Sequence, residues 1–252
     1  MADSRWWARF FEGSALELWR LAHTRDENRG EAADLVRALS LAPGERVLDV
    51  PCGYGRLALE LAALGLRVCG IDASEAFVAE GRQQARQRGL ELELRLGDMR
   101  ELPWENELDA AFCVGNSFGY FDDEGDLAFL RAVASSLKPG GRFLLEVPLA
   151  AELIHGKREL RDWRRLGELL LLSEGFHDED LGRMETSYTF VDLRTAGGAL
   201  ETRHASYRVY SIGELTERLR TAGFDSIEWL GDLDGAPFGQ SSVACHARVR
   251  RA

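Results

Sequence analysis

A chain of 252 residues is long enough for one large α/β domain with its own core, and for a subdomain beside it. Lys and Arg number 31 against 42 Asp and Glu, a formal charge of −11, and an acidic surface repels phosphate backbones, so no nucleic-acid partner is expected. No apolar run approaches the ~20 residues that span a bilayer, so no membrane partner is expected either.

The N-terminal MADSRWWARFF carries charge inside its apolar stretch and lacks the layout of a signal peptide, which predicts a cytoplasmic protein. Residues 1–40 read as helices, with Trp6, Trp7, Phe10 and Phe11 forming an aromatic cluster suited either to a lid or to a packed helix. Pro43-Gly44 breaks this run. A strand over Arg46–Val50 follows, then a helix over Leu57–Leu64 ended by Gly65, and a strand over Arg67–Ile71. Ser74 caps a helix closed by Gly89. Strands are predicted over Leu92–Leu96 and Asp109–Val114. Leu127, Leu130, Ala134 and Leu137 have helical spacing, and Pro139-Gly140-Gly141 stops that helix before a fifth strand over Arg142–Val147. Alternating strands and helices imply a doubly wound, mostly parallel sheet with its ligand site at the carboxyl ends of the strands.

The pattern changes after Pro148. Residues 151–166 read as helical, with Arg161–Arg165 as a solvated face. Leu169–Ser173, Arg183–Val191 and Glu201–Tyr210 read as an antiparallel insertion of about three strands, joined by turns such as Ala196-Gly197-Gly198. Ser211-x-x-Glu214 is a capping box, and Ser226–Leu230 and Ser242–Val249 are the last strands. The segments are then 1–40 (helical lid), 41–150 (cofactor-binding core), 151–210 (acceptor-binding insertion) and 211–252 (completion of the sheet). The insertion sheet also offers a surface for a homodimer.

Cys52, Cys69, Cys113 and Cys245 lie far apart without a C-x-x-C pair, so buried free thiols are expected. The histidines are scattered and no metal site is expected; His155 and His204 read as satisfied surface residues, and His177, in His177-Asp178-Glu179-Asp180, as part of a solvated loop.

The chemistry sits at the strand ends. The first strand runs into Asp49-Val50-Pro51-Cys52-Gly53-Tyr54-Gly55 and directly into a helix. Glycines there let the backbone turn and approach a ligand, and the helix N-terminus offers free N–H groups. A dinucleotide site wants G-x-G-x-x-G and no acid beside its pyrophosphate; Pro51 and Asp49 fit a ligand with a positive end better. Asp72, in Gly70-Ile71-Asp72-Ala73, falls about 20 residues on, where a carboxylate accepts from a ribose diol. Asp98 and Met99, in Gly97-Asp98-Met99, suit an adenine amino group and ring.

These stretches resemble the motifs of the class I S-adenosylmethionine-dependent methyltransferases: VLDVPCGYGR the glycine motif, GIDAS the ribose motif, GDMREL the adenine motif, LDAAFCVGNSFGYF the fourth-strand motif, and LKPGGRFLLEV the approach to the fifth strand. The resemblance runs from about residue 40 to the C-terminus. It implies a seven-stranded sheet with an antiparallel last strand and S-adenosylmethionine as cofactor. By residue it implies that Asp49, Gly53 and Gly55 hold the methionine part, Asp72 the ribose, Asp98 and Met99 the adenine, that Gly115 lies near the sulfur, and that Pro51 and Ala73 belong to the same cofactor-binding set. Pro51 departs from the commoner glycine.

The fourth strand ends Gly115-Asn116-Ser117-Phe118 and lacks the Asn/Asp-Pro-Pro-Tyr pattern of methylation on nucleic-acid amino groups. A small-molecule N or O acceptor is therefore expected. Tyr188, Arg203, His204, Tyr207, Arg208 and Tyr210 are the insertion's candidates to face it, and no single residue stands out as a catalytic base. The competing readings are an NAD-type oxidoreductase on the same scaffold and a non-catalytic S-adenosylmethionine sensor.

Overall fold

The computed structural model describes residues 5–156, 159–195, 197–239 and 241–252. Ala196, assigned to a turn above, and the first four residues of the N-terminal segment lie outside the described residues.

Three helices lead in: α1 (Trp7–Phe10), α2 (Gly13–Leu21) and α3 (Arg25–Ala38). Thr24 and Glu27 form a capping box that starts α3. Strands and helices then alternate as β1 (Arg46–Asp49), α4 (Arg56–Ala63), β2 (Arg67–Asp72), α5 (Glu75–Arg88), β3 (Leu92–Leu96), β4 (Leu108–Cys113), α6 (Asp123–Ser136) and β5 (Leu137–Glu146). Next come α7 (Ala151–Ile154), β6 (Glu159–Leu166), β7 (Leu169–Asp178), β8 (Arg183–Asp192) and β9 (Ala199–Arg208). The chain closes with α8 (Ile212–Ala222), β10 (Phe224–Leu230) and β11 (His246–Arg251).

The main sheet has seven strands in the order β10-β11-β5-β4-β1-β2-β3, and β11 runs antiparallel to both of its neighbours. Because successive side chains point to opposite faces, Val47 packs against α3 and α4 while Leu48 joins the larger core on the other face. The strand order reverses between β1 and β4, and this switch opens a crevice at their carboxyl ends. All four cysteines are buried free thiols. Among the described residues no helix is long and apolar enough to cross a membrane.

The insertion is a four-stranded antiparallel meander, β6-β7-β8-β9, with one more strand than expected. Residues 151–166 are not one helix. Only Ala151–Ile154 is helical, and Glu159–Leu166 pairs along its whole length with Leu169–Phe176. Arg161–Arg165 therefore lies on an exposed edge strand, where charge discourages pairing with another chain. A single covered face and a free edge leave so little apolar pattern in β6 that its sequence reads equally as a polar helix. His177 lies on β7 opposite Met184, not in a loop.

The N-terminal segment is built into the core rather than draped over it. Trp6 is 7% exposed and its Nε1 donates to Ser206 O at 3.1 Å. Its ring meets Phe10, Tyr120 and Tyr207 edge-on at 4.8–5.3 Å.

Candidate functional site

At the end of β1 the chain turns sharply into α4. Val50 N donates to Phe112 O of β4, Cys52 N to Ile71 O of β2, and Gly55 N to Cys52 O at 2.8 Å. Gly55 has a φ of +76° at the N-cap of α4, a conformation glycine adopts without strain. Close packing holds the loop from below. A Cβ on Gly70 would lie 2.7 Å from that of Cys52, and one on Gly81 of α5 would lie 2.8 Å from Tyr54 O.

Asp72 ties the loop to the second strand. Its Oδ2 accepts from Gly53 N and its Oδ1 from Ser74 N, each at 2.8 Å. Each oxygen accepts one of these bonds and keeps a further lone pair, and burial raises the carboxyl above its ordinary range. Asp49 is 5% exposed, and burial pushes it up to about 8, against the pull of nearby Arg56. A cationic ligand group at this point would restore its charge.

Asp98 is engaged more fully than sequence alone indicates. Arg100 Nε and Nη2 clasp its carboxylate at 2.6–3.2 Å, and Arg100 N donates to Oδ1 at 2.9 Å. Burial acts to raise this carboxyl, but the Arg100 bonds outweigh it and hold it below its ordinary range. The guanidinium lies 4.2 Å from the centre of the Phe121 ring, so the pair forms a rigid shelf.

Asp49, Pro51, Gly53, Asp72 and Ala73 line one cavity of about 720 Å³, together with Asp98, Met99 and Gly115. Gly55 does not line it; Gly55 is buried behind the loop and shapes the turn.

Sequence reasoning missed several lining residues. Arg56 faces the cavity from the first turn of α4 and is held by Glu31, with Nη2 to Oε1 at 3.0 Å, and by Asn28 at 3.2 Å. A cation at a helix N-terminus opposes the dipole, and that oddity was the available signal. His23 stands on the same wall, lowered chiefly by burial and then by Arg56, so it is neutral near pH 7. Trp19, Phe11, Phe77 and Tyr54 add an aromatic wall with ring centres 5.4–5.9 Å apart in sequence of contact.

The loop after β4 divides the cavity from a second compartment of about 360 Å³ beneath the insertion sheet. Gly115 has a φ of +81° and Asn116 of +61°, and both line both spaces. Glu146, at the end of β5, accepts from Gly115 N and, at 3.1 Å, from Asn116 N. This clamp holds a non-glycine residue in the left-handed region.

Of the insertion residues singled out from sequence, Tyr188 and Tyr207 line the second compartment. The others do not. Arg203 is bound to Glu201 and Arg9 O, His204 Nδ1 pairs with Ser187 Oγ at 3.0 Å, and Arg208 binds Asp123 at 2.9 Å. Tyr210 is buried and donates to Asp126 Oδ2 at 3.0 Å. No group of His, Cys, Asp and Glu among the described residues is arranged to hold a metal.

The sequence profile of a family described as "Methyltransferase domain" matches residues 47–141, from β1 into β5. Those residues form a methyltransferase domain. The ubiquinone biosynthesis O-methyltransferase of Xanthomonas campestris pv. campestris is 36% identical over 114 residues, 44% of this chain and 46% of that protein. The cypemycin N-terminal methyltransferase of a Streptomyces species is 32% identical over 143 residues, 50% of this chain and 57% of that protein. The chain thus matches about half the length of these relatives. Two solved structures share the whole fold. The CcbJ methyltransferase from Streptomyces caelestis superposes with a TM-score of 0.77 at 20% identity, covering 100% of this chain and 96% of that one. The S-adenosylmethionine-bound amino pentose methyltransferase CalS10 from Micromonospora echinaspora superposes with a TM-score of 0.68 at 21% identity, covering 96% and 98%.

Proposed function

We propose that the chain catalyses methyl transfer from S-adenosylmethionine to a small-molecule N or O acceptor. The observation that carries this reading is the single cavity into which β1, β2, the segment after β3 and the loop after β4 each deliver a predicted residue: Asp49, Asp72, Asp98 and Gly115. The residues fit the cofactor's parts. Asp72 keeps lone pairs for a ribose diol, Met99 offers an apolar surface to an adenine, and buried Asp49 suits a cationic group. Arg56 and the α4 N-terminus suit a carboxylate. When bound, the cofactor supplies an electrophilic methyl group on a sulfonium. The chain's own part is to orient the acceptor and exclude water, which the roof of Trp7, Phe11 and Trp19 serves. The methyltransferase domain and the names of its relatives support this assignment over an NAD-type oxidoreductase or a sensor.

On this proposal the four segments serve as helical lid (1–40), cofactor-binding core (41–150), acceptor-binding insertion (151–210) and completion of the sheet (211–252). A cytoplasmic setting suits four free thiols. The homodimer remains a reading of the insertion's outer face, where Trp163 and Leu200 are exposed, and light scattering on the purified protein tests it.

Calorimetry with S-adenosylmethionine, S-adenosylhomocysteine and NAD in separate runs tests the function. Binding of the first two without NAD is expected. Binding of NAD alone overturns it.

A further inference from the structure

The Asp98 carboxylate is not held in place by its own strand. It follows β3, and the side chains of Asp98 and its partner Arg100 are 25% and 34% exposed. A pair that open to solvent gains little from its own attraction. What fixes it is the ring it packs on. The Arg100 guanidinium lies 4.2 Å from the centre of the Phe121 ring, and Phe121 is buried. Phe121 belongs to no helix or strand; it lines the cofactor cavity and meets Trp7 edge-on at 5.5 Å. Its main chain is set by two bonds. Phe121 N donates to Asp126 Oδ1 of α6 at 3.3 Å, and Phe121 O accepts from Arg183 Nη1 of β8 at 2.8 Å. Arg183 is itself locked onto the insertion sheet. Its Nε donates to Ser206 Oγ of β9 at 2.6 Å, and its Nη2 to Ser206 O at 2.8 Å. Ser206 Oγ in turn donates to Glu185 Oε1 at 2.6 Å, and Ser206 O also accepts from Trp6 Nε1 at 3.1 Å. The planar fork of a guanidinium thus directs two donors at the sheet and one at the loop, which no other side chain can do from one position.

Resting on the reading of the cavity as an S-adenosylmethionine site with Asp98 at the adenine, we infer that Arg183 is a positioning residue through which the insertion sheet sets the preference for adenine. Arg183 lines neither compartment, so it acts through others. It holds Phe121, Phe121 holds Arg100, and Arg100 aims the Asp98 carboxylate at the exocyclic amino group. Without the guanidinium, Phe121 O loses its donor, the ring shifts, and the carboxylate loses its fixed aim. An adenine amino group donates to a carboxylate. The carbonyl oxygen that hypoxanthine carries in the same place is repelled by it. Discrimination between the two bases therefore reads how firmly Asp98 is aimed, and the binding of the ribose and methionine parts does not enter the ratio.

The test uses the full chain and two calorimetric probes, S-adenosylhomocysteine and S-inosylhomocysteine, its analogue with a carbonyl in place of the adenine amino group. The parent should bind the first at least about tenfold more tightly than the second. Arg183→Met, and Arg183→Gln as the gentler variant, should each lower that ratio at least about fivefold, by weakening the first ligand and not the second. Phe121→Leu removes the ring and keeps the carbonyl that Arg183 bonds, and it should lower the ratio to a similar extent. The double variant Arg183→Gln/Phe121→Leu should fall no further than either alone, because the two act in series. A folded Arg183 variant whose ratio stays within about twofold of the parent, with both ligands weakened alike, overturns the inference and leaves Arg183 a purely structural residue. A double variant in which the two losses multiply overturns it as well. A parent that binds both probes equally overturns instead the adenine role of Asp98, and one that binds neither overturns the functional reading beneath it.

Discussion

Asp72→Asn separates a ligand-binding carboxylate from a merely structural one. In the native loop each oxygen of Asp72 accepts one backbone N–H at 2.8 Å, from Gly53 and from Ser74. Asparagine keeps the shape but replaces one acceptor by an NH2 that faces a donor. The fold therefore loses one charge-assisted bond, about 1.5–3 kcal/mol. Part of that loss is offset, because the burial that raises the carboxyl of Asp72 does not penalise a neutral amide. A net stability change of about 0–2 kcal/mol is expected. On the ligand side, a ribose diol donating to both oxygens loses one of its two acceptors, again about 1.5–3 kcal/mol, or roughly 10- to 150-fold in Kd. Calorimetric titration with S-adenosylhomocysteine reads the affinity, and urea unfolding of the same samples reads the stability. A variant that folds with native stability and binds within about threefold of the parent would refute the ribose role, since less than ~0.7 kcal/mol would then depend on that oxygen.

Three further outcomes follow from the same geometry. Asp49 has a folded value of about 8 against 3.8 when unfolded, so its contribution to stability is full below pH 4 and lost as pH rises toward 8, by at most about 1.4 kcal/mol per pH unit. A cationic ligand end lowers that value, so binding S-adenosylmethionine at pH 7 should release a proton from Asp49; buffer-dependent calorimetry should detect it, and the release should vanish in Asp49→Asn. Glu146→Ala removes the acceptor for two N–H groups in the loop after β4 and should weaken S-adenosylhomocysteine binding at least about tenfold, with Glu146→Gln recovering most of it through its carbonyl oxygen; equal loss in both variants would show that the clamp is not what matters. Tyr210→Phe deletes the hydroxyl that donates to Asp126, a carboxyl 1% exposed and raised to about 7 by burial, and should cost about 1–3 kcal/mol in urea unfolding while leaving cofactor affinity unchanged.

The sequence by itself determined what local chemistry controls. Runs such as Arg67–Asp72 are apolar in the short, unbroken way of a strand covered on both faces, and Ser74 and Gly89 mark the ends of α5 as cap and left-handed stop. The acids at the ends of β1 and β2 and just beyond β3 were legible because a parallel sheet delivers its strand ends to one crevice whatever the rest of the chain does. The tertiary structure alone decided what depends on partners distant in the chain. β6 is a strand because β7 supplies its hydrogen bonds; its own sequence, charged at five of eight positions with Leu160, Trp163 and Leu166 three apart, carries no alternation to reveal that. Glu146 meets Gly115 across 31 positions, and Trp6 meets Ser206 across 200, and neither pairing leaves a trace in local spacing. The compartment beneath the insertion sheet is decided in the same way. Tyr120, Tyr188 and Tyr207 come from a loop and two strands, and only the folding of the insertion over the carboxyl ends of the main sheet buries them together and raises their hydroxyls above the ordinary range.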